Sequence, residues 1–235
     1  MLDCISVENM RQSDAYTIAN FVPSLELMHR AAYGVFLSHN WQGRTAIVAG
    51  SGNNGGDGFA LACILKGKGH DCTVFTLSQK LSPDSAHYAA LAQEAGISIL
   101  AFESGCLEGF STVVDCLLGT GFQGNVREPY RSAVEEINDA KAFIISVDIN
   151  SGMNGDTGEA ELAVKSHLTV TIGYVKWGLI AQSAASYMDR LVCADIGIHL
   201  QREEGKILCP GELPKGEGYY HSCPHWLDPK IVRSY

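Results

Sequence analysis

The stretch that decides the fold is Ile47-Val48-Ala49-Gly50-Ser51-Gly52-Asn53-Asn54-Gly55-Gly56-Asp57-Gly58-Phe59-Ala60-Leu61-Ala62. An apolar run ends at a glycine, a polar glycine-rich segment follows, and an Ala/Leu-rich helical pattern comes after it. This order predicts a strand, a tight loop and a helix that begins at Asp57. The loop lacks bulky side chains, so its backbone amides can approach a ligand closely at the positive end of a helix. A phosphate or pyrophosphate is the ligand that such a loop favours.

Two familiar phosphate-binding loops fit this stretch poorly. Residues 50–55 match the G-x-G-x-x-G pattern, but dehydrogenases also place an acidic residue after the second strand, where it binds the ribose. Here the predicted strand Cys72–Leu77 is followed by Ser78-Gln79-Lys80, which contains no carboxylate. A P-loop is excluded because no Gly-Lys-Ser/Thr closes the segment. A plain connecting turn is the simpler alternative, although such a turn does not need two asparagines and an aspartate together.

The composition is that of a globular protein without a basic surface. Of 235 residues, 46% are hydrophobic and 18% charged, and the formal net charge is −9. This charge argues against a nucleic-acid partner. No signal-peptide pattern or membrane-length apolar run occurs, so we expect no membrane partner. The eight cysteines form no C-x-x-C pair and often lie in apolar runs, which favours reduced thiols and the cytoplasm. They are Cys4, Cys63, Cys72, Cys106, Cys116, Cys193, Cys209 and Cys223.

The chain is predicted to form a single domain, residues 1–235, in three parts. Residues 1–43 carry two helices, capped by Ser6 and Ser24, that form either a packing arm or an oligomer contact. Residues 44–200 alternate strands and helices, which predicts a mostly parallel sheet covered by helices on both faces. Residues 201–235 form an irregular tail, in which the spacing of its two His and one Cys residues fits no standard zinc site. These three are His221, Cys223 and His225.

Within residues 44–200 the pattern predicts seven strands and three helices. The strands are Thr45–Ala49, Cys72–Leu77, Ile97–Phe102, Thr112–Leu118, Ala142–Asp148, Leu168–Ile172 and Leu191–Asp195. The helices are Asp57–Lys68, a segment from Ser82 or Asp84 to Gly96, and Pro129–Asn138.

Polar groups follow three of these strands at the edge where parallel α/β sheets bind ligands. Strand four contains Asp115, which is costly inside a run of Val and Leu unless it is paired or bound, and the loop after it is Gly119–Asn125. Strand five ends in Asp148 and is followed by Ser151. Three such endings are unusual for turns that only connect elements.

The side chains at this edge offer oxygen ligands and one acid–base candidate. Asn54, Asp115 and Ser151 supply amide, carboxylate and hydroxyl oxygens, which suit a hard cation, and a single carboxylate favours an ion of low charge. No His or Cys is placed for zinc. Asp148 is the acid–base candidate, at a strand end beside the glycine loops.

Four motifs in this order resemble the NAD(P)HX epimerases, the YjeF N-terminal domain family. They are Gly52-Asn53-Asn54-Gly55-Gly56-Asp57-Gly58, Asp115-x-x-x-Gly119-Thr120-Gly121, Val147-Asp148-Ile149-x-Ser151-Gly152 and Thr169-Val170-Thr171-Ile172-Gly173-Tyr174-x-Lys176. The resemblance, from about Ser6 to Ile198, implies a Rossmann-like three-layer α/β/α sandwich with an N-terminal helical extension. It also implies a repair enzyme that interconverts the R and S epimers of hydrated NADH and NADPH.

The resemblance assigns roles to named residues. It implies that Asp148 contacts the nicotinamide side of the dinucleotide, that Asn54, Asp115 and Ser151 hold one potassium ion, and that a separate dehydratase acts on the product. A homodimer through the N-terminal helices is also implied. The dinucleotide-binding residues would be Asn53, Asn54, Gly55, Gly56, Asp57, Gly119, Thr120, Gly121, Phe122, Gln123, Gly124, Asn125, Asp148 and Lys176.

The chain departs from the family at three positions. Asn150 stands where the family commonly has proline, His29 where it has glutamate, and Trp177 where proline often follows the lysine. Asn150 bears on the loop that positions Asp148 and Ser151, and His29 bears on any role of the family's glutamate. None of the three removes a residue of the central motifs.

A carboxylate serves the chemistry implied for this substrate. Its hydroxylated carbon lies next to the ring nitrogen and must lose its configuration, either by loss of hydroxide or by opening of the ring. A carboxylate such as Asp148 can stabilise the cation of the first route or take the proton of the second. Lys176 supplies phosphate charge or a proton, or else extends to the surface as an ordinary lysine. The alternatives to an epimerase are a non-catalytic scaffold that binds nucleotides or proteins, and an ordinary dehydrogenase.

Overall fold

The computed structural model describes residues 2–207, and within them the chain forms five α-helices and two β-sheets. The helices are α1 (Val7–Asn20), α2 (Ser24–Leu37), α3 (Asn53–Gly67), α4 (Pro83–Glu94) and α5 (Tyr130–Asp139). The strands are β1 (Leu2–Ile5), β2 (Thr45–Ala49), β3 (Cys72–Thr76), β4 (Ser98–Ala101), β5 (Thr112–Cys116), β6 (Phe143–Val147), β7 (Leu168–Ile172), β8 (Val175–Lys176), β9 (Leu191–Ala194) and β10 (Gly205–Ile207). Short 3-10 helices occupy Trp177–Ile180 and Gln182–Ser186.

The larger sheet is parallel, and its strand order places a switch point near the middle of the sheet. Its strand order is β4-β3-β2-β5-β6-β7-β9. The chain runs outward from β2 to β4, then returns to β5 and runs outward in the other direction. The switch point between β2 and β5 leaves a crevice beyond their carboxyl ends, where open α/β sheets bind ligands. The glycine-rich segment after β2 and the segment after β5 border this crevice.

Helices cover both faces of this sheet. Helices α2, α3 and α4 pack against one face through buried side chains that include Leu27, Phe59 and Tyr88. Helix α5 packs against the other face through Val134. The predicted α/β class and mostly parallel sheet are therefore confirmed. Helix α2, however, is part of the core and not an extension from it, because seven of its residues are buried.

A second, smaller sheet was absent from the sequence prediction. Its order is β10-β1-β8, with β1 antiparallel to β10 and parallel to β8. Strand β1 thus precedes what the sequence indicated as the first strand, and β10 lies in the predicted irregular tail. The register places Ile5 beside Lys176. The small sheet therefore joins the start of α1 to the strand that carries Lys176.

Helix α1 is fastened to residues 199–202 by a buried polar stripe. Asn9, Ser13 and Thr17 are fully buried and lie one turn apart. Asn9 Nδ2 donates to the Arg202 carbonyl at 2.6 Å, and the Ser13 and Thr17 hydroxyls accept from the amides of Gln201 and His199 at 3.0 and 2.9 Å. The stripe would be costly to bury without these partners. It fixes which face of α1 points inward.

The structure confirms one of the two predicted helix caps and the bounds of two predicted strands. Ser6 does cap α1, because its hydroxyl accepts the Asn9 amide at 3.2 Å. Ser24 does not cap α2: it is the first helical residue, and Pro23 precedes it without a side-chain hydrogen bond. Strands Thr45–Ala49 and Leu168–Ile172 lie where they were predicted.

The described residues test part of the predictions on cysteines and membrane spans. Six cysteines fall within residues 2–207, and all six are free thiols. No helix in this part of the chain combines the length and apolar character needed to cross a bilayer. Cys209, Cys223, His221 and His225 lie outside the described residues, as does most of the predicted tail. The division of residues 1–235 as a single domain stays a prediction.

Candidate active site

A cleft of about 730 Å³ opens at the switch point of the parallel sheet. Its walls are the start of α3, the segment after β5, the end of β6 and one face of α1. Both polar and apolar side chains line it, as is usual for a site that orients a small molecule. The residues used below are drawn from this lining and from the layer directly behind it.

The start of α3 forms one wall. The helix begins at Asn53 and not at Asp57 as predicted, so Asn53, Asn54 and Gly55 form its first turn and their amides precede the first helical bond, from Gly56 N–H to Gly52 O. Gly52 provides the extended backbone that starts the helix, without a side-chain cap. Free amides at a helix start bind anions, so this wall suits a phosphate.

Asn54 is buried without a hydrogen-bond partner. Its side-chain oxygen and nitrogen are both inaccessible and bond to no described residue. Such an amide is costly unless a ligand completes it. A Cβ added at Gly119 would lie 3.3 Å from Asn54 Cβ and 3.8 Å from Asp148 Oδ2. The unpartnered amide of Asn54 and the Asp148 carboxylate therefore both lie next to Gly119, which has no side chain to separate them.

Asp148 is held at the end of β6 in a left-handed conformation. Its φ of 69° is the only positive φ of a non-glycine residue within 2–207. Its backbone amide donates to the Val170 carbonyl at 2.8 Å, which keeps the turn against β7. Strained residues of this kind persist where the surroundings fix them, often at functional sites.

Lys176 is the ion-pair partner of Asp148 and is buried beneath it. The Lys176 side chain is 1% exposed, and its Nζ donates to Asp148 Oδ1 at 2.5 Å, to Thr171 Oγ1 at 3.1 Å and to the Ile172 carbonyl at 2.7 Å. These three bonds use every proton of the ammonium. The alternative of a lysine extending to the surface was wrong. Asp148 Oδ2 accepts no hydrogen bond from the described residues and is left to face the cleft.

Asp115 lies behind the cleft, bonded to Ser151. The Asp115 carboxylate is fully buried and accepts from Ser151 Oγ at 2.5 Å, from the Ser151 amide at 3.0 Å, and from Ser146 Oγ at 2.9 Å. Burial raises the pKa of Asp115, while these hydrogen bonds lower it in part. Ser151 Oγ also accepts the Leu118 amide at 2.8 Å. Asp115 and Ser151 thus tie the segments after β5 and β6 together.

Asn150 replaces the family's proline with a complete hydrogen-bond network. It is fully buried, and its Nδ2 lies 2.9 Å from the Val164 carbonyl and 2.8 Å from the Tyr187 carbonyl. Its Oδ1 accepts from the Thr169 hydroxyl at 2.7 Å. This network fixes the turn between Asp148 and Ser151, so the departure at position 150 preserves the loop by other contacts.

Three further aspartates give the cleft an acidic character. Asp14, Asp57 and Asp84 line it together with Asp148, against the cations Arg11 and Lys176. Burial, followed by the charges of Asp148 and Asp14, raises the pKa of Asp57 well above its usual range. Burial and then Asp148 also raise the pKa of Asp14. Beside these carboxylates, and away from the start of α3, the cleft favours bound groups that carry or develop positive charge.

The structure separates the predicted site residues into three groups. Ten of them line the cleft: Asn53, Asn54, Asp57, Gly119, Thr120, Gly121, Phe122, Gln123, Asp148 and Lys176. Gly55, Gly56, Asp115 and Ser151 are buried behind its surface. Gly124 and Asn125 are exposed outside the lining. Their roles in binding stay predictions.

Sequence reasoning placed Asp14 on a helix but gave it no role in the site. The available signal was the spacing of Met10, Asp14 and Ile18, which puts the carboxylate on the same helix face as two apolar residues. All three line the cleft.

Comparisons with known proteins identify the family of the chain. Residues 24–178 match the model of a family described as YjeF-related protein N-terminus. The NAD(P)H-hydrate epimerase of Limosilactobacillus fermentum is 34% identical over 199 residues, which cover 81% of this chain and 95% of that protein. The bifunctional NAD(P)H-hydrate repair enzyme Nnr of Archaeoglobus fulgidus is 38% identical over 88% of this chain, which spans 44% of that protein.

A solved structure supports the fold independently. The crystal structure of yeast ynu0 superposes with a TM-score of 0.67 at 22% identity, covering 75% of this chain and 83% of the yeast chain. At this identity the likeness concerns the fold alone. The family is shown by the match over residues 24–178 and by the identity of 34% over most of the chain, and the fold agrees with it. The chain belongs to the family of YjeF-related protein N-termini.

Proposed function

We propose that this protein is an isomerase, an NAD(P)H-hydrate epimerase that interconverts the R and S epimers of hydrated NADH and NADPH. The observation that carries the proposal is the Asp148–Lys176 pair at the base of a cleft bordered by a free helix start. The relatives named NAD(P)H-hydrate epimerase support it, because the chain aligns with 95% of the first of them.

The walls of the cleft suit the two ends of such a substrate. The pyrophosphate is expected at the start of α3, where the amides of Asn53 and Asn54 precede the first helical bond. The nicotinamide side is expected near Gly119, within reach of Asp148 Oδ2. Phe122 and Gln123 extend the wall along the dinucleotide.

Asp148 is assigned to the reacting carbon. When the C–O bond of the hemiaminal breaks, the ring becomes an iminium-like cation, and a carboxylate fixed beside it stabilises that charge. Lys176 holds Asp148 Oδ1 and has no proton left for a phosphate, so its role is to position and balance Asp148. The bonds from Lys176 and from the Ile172 amide to Oδ1 orient the carboxylate and leave Oδ2 available to the substrate.

A potassium ion fits the residues predicted for it. Asn54 supplies a buried amide oxygen without a partner, and Asp115 and Ser151 lie together at the adjoining segments. One carboxylate with neutral oxygens suits an ion of charge +1. Asn54, Asp115 and Ser151 would hold the ion, which would supply charge and rigidity to the segments after β5 and β6.

Two partners and a cellular compartment are also part of the proposal. A separate dehydratase that acts on the product is supported by the relative named a bifunctional repair enzyme, of which this chain spans 44%. A homodimer through the N-terminal helices is supported by Tyr16 and Phe21, large side chains that α1 and its end leave exposed. The six free thiols suit a reducing compartment such as the cytoplasm.

The test of the proposed function is an epimerisation assay. R-NADHX is incubated with the purified protein, with potassium or with sodium in its place, and the epimers are separated by chromatography. We expect equilibration well above the spontaneous rate, with a slower rate in sodium. Asp148→Asn should lower kcat by about 10²–10⁴-fold, the range for loss of a positioned acid–base group.

Two outcomes would contradict this proposal. Unchanged epimerisation by Asp148→Asn would remove Asp148 from the chemistry. No acceleration by the wild-type protein, with NADPH still bound in a calorimetric titration, would favour the non-catalytic scaffold. Asp139→Asn is the matched control, because Asp139 is exposed at the end of α5 and lies outside the cleft.

A further inference from the structure

Helix α1 places in the cleft a carboxylate that the proposed function leaves without a role. Asp14 is half-buried and lines the cleft between Met10 and Ile18, one turn away on either side. Within residues 2–207 it accepts no hydrogen bond, and its surroundings act on it through burial and charge alone. A half-buried carboxyl without a hydrogen-bond partner, facing a ligand cleft, can bond a ligand without first breaking a bond of its own.

The position of Asp14 relative to the reacting pair is fixed. Ser13, its neighbour in sequence, accepts the Gln201 amide, and Thr17 one turn on accepts the His199 amide. At the other end of α1, Ile5 pairs with Lys176 in the small sheet. Asp14 is therefore carried by a helix held at both ends, one of them on the strand of Lys176. A group that transfers a proton needs this kind of support.

The charges around Asp14 differ from those around Asp148. Asp148 at the end of β6, Asp84 on α4 and Asp57 on α3 line the same cleft as Asp14, and each of them interacts with it electrostatically. Two cations line the same cleft. Arg11, on α1 itself, is paired with Glu8 at 2.7 Å, and Lys176 already donates to three acceptors, one of them Asp148 Oδ1. Asp148 is thus ion-paired, whereas Asp14 has no ion pair among the described residues and shares the cleft with three other carboxyl groups. Two carboxyl groups in environments this different are suited to opposite roles, one ionised and one protonated.

Building on the proposed function, we infer that Asp14 is the general acid of the epimerisation and acts together with Asp148. Asp14 gives its proton to the hydroxyl oxygen as the C–O bond breaks, and the bonding electron pair leaves with the oxygen as water. The ring nitrogen supplies its lone pair to the carbon, which forms the planar cation that Asp148 stabilises. Water then adds to the opposite face and gives its proton to the ionised Asp148, and exchange with solvent restores both groups.

The inference is tested by the pH dependence of kcat for the wild type and two variants of Asp14. The wild-type rate above the spontaneous background should fall as the pH rises through the point at which Asp14 loses its proton. Asp14→Asn should lower kcat by about 10²–10⁴-fold and lack this alkaline decline, because an amide has no acidic proton to lose. Asp14→Glu should regain part of kcat together with the decline. The KM of both variants is expected to stay within about threefold of the wild-type value.

Controls separate this role from a structural one. Asp14→Asn removes a charge whose burial is unfavourable, so it should fold and melt at or above the wild-type temperature at pH 8. Affinity for NADPH, measured by calorimetry, should be close to that of wild type. Asp139→Asn, at an exposed site, should leave both kcat and the pH profile unchanged.

The outcomes distinguish this inference from the proposed function. Wild-type acceleration with an unchanged kcat or an unchanged alkaline decline in Asp14→Asn would overturn the role of Asp14 alone. Loss of the decline in Asp57→Asn but not in Asp14→Asn would also overturn it and assign the proton to Asp57. No acceleration by the wild-type protein would overturn the proposed function and this inference together.

Discussion

At the scale of single residues, the buried ammonium of Lys176 determines how Asp148 can act. An ammonium with 1% exposure is tolerable only because three acceptors surround it. The same arrangement leaves Asp148 with one oxygen committed to Lys176 and the other facing the cleft. The pair thus presents an oriented carboxylate whose charge is already balanced from below.

Removing this ammonium should cost both stability and activity. Lys176→Met keeps the length of the side chain but leaves Asp148 without its cation and Thr171 Oγ1 without a donor. We expect the free energy of unfolding to fall by about 3 kcal/mol, because breaking a buried pair leaves its partner uncompensated. Urea denaturation measures this loss. The control Lys66→Met, at an exposed position on α3, should change stability little, and an equal effect of both variants would contradict the explanation.

Sequence reasoning could identify Asp148, but it could not predict the burial of Lys176 or the position of Asp14 in the cleft. Asp148 stood out because a carboxylate ends an apolar strand. Lys176 gave no sign of burial, since a lysine after Tyr174 and Val175 is equally compatible with the surface. Asp14 was missed because a single carboxylate on an amphipathic helix normally faces solvent. Only the packing of α1 over the cleft shows otherwise.

At the scale of secondary-structure elements, the turn from β2 into α3 depends on backbone contact. A Cβ at Gly55 would lie 2.1 Å from the Gly50 carbonyl oxygen, which no side chain could tolerate without a shift of the backbone. A Cβ at Gly56 would lie 2.6 Å from the Met28 side chain on α2. The glycines therefore allow the helix start to lie directly on the strand end, which places its free amides in the cleft.

Two alanine substitutions in α3 should have opposite effects. Gly55→Ala forces the helix start away from Gly50 and should destabilise the fold by about 1–3 kcal/mol, the usual cost of overpacking. Gly67→Ala, where a Cβ meets nothing within 4 Å, should be neutral or stabilise by up to about 1 kcal/mol. Thermal unfolding of both variants checks the pair. Equal melting temperatures would show that the contact at Gly50 does not matter.

The elements could be predicted to very different degrees. Strands β2 and β7 were placed at their observed bounds because each is a buried apolar run between clear breaks. The start of α3 was placed four residues late, since Asn-Asn-Gly-Gly has a low helix propensity and only the tertiary contact makes it helical. Strands β1, β8 and β10 have two to four residues, too few to show an alternating pattern.

At the scale of the whole molecule, Glu204 joins the two ends of the described chain. Its carboxylate accepts the Ser6 hydroxyl at 2.8 Å, the Ser6 amide at 2.5 Å and Trp177 Nε1 at 3.3 Å. Arg202 adds an ion pair at 2.6 Å. Although desolvation raises the pKa of Glu204, the bonds from Arg202, Ser6 and Trp177 outweigh it and lower the pKa to about 2.

Glu204→Gln should therefore lose stability in a pH-dependent way. The pKa of Glu204 is lower in the folded state than its usual 4.5, so its contribution is full above that value and is lost as the pH falls toward 2. At pH 7 we expect a loss of about 1–2 kcal/mol, as for hydrogen bonds to a charged group that keeps some exposure. Unfolding titrations at pH 7 and pH 3 measure it.

The control for this variant is Glu94→Gln, an exposed glutamate at the end of α4. It should show no such difference between the two pH values. A loss for Glu204→Gln that is the same at pH 7 and pH 3 would show that charge plays no part in the contact with Ser6.

The class of the whole fold followed from the alternation of strands and helices, but the closure of the cleft did not. The strands from β2 to β7, and β9, predict a parallel sheet, and the edge at which it binds ligands follows from a general rule. The wall formed by α1 depends instead on Glu204 and on the amides of His199 and Gln201. No local pattern links residues that are nearly two hundred positions apart.

This long-range fastening also sets an order of events during synthesis. Helix α1 is synthesised long before residues 199–202, yet its buried stripe of Asn9, Ser13 and Thr17 finds its partners only when those residues have emerged. Until then the nascent chain can assemble most of the parallel sheet while one wall of its cleft has no fixed place. The cleft is therefore completed by nearly the last described residues to be translated, and a chain that stops before them would carry the glycine-rich segments without the wall that α1 forms.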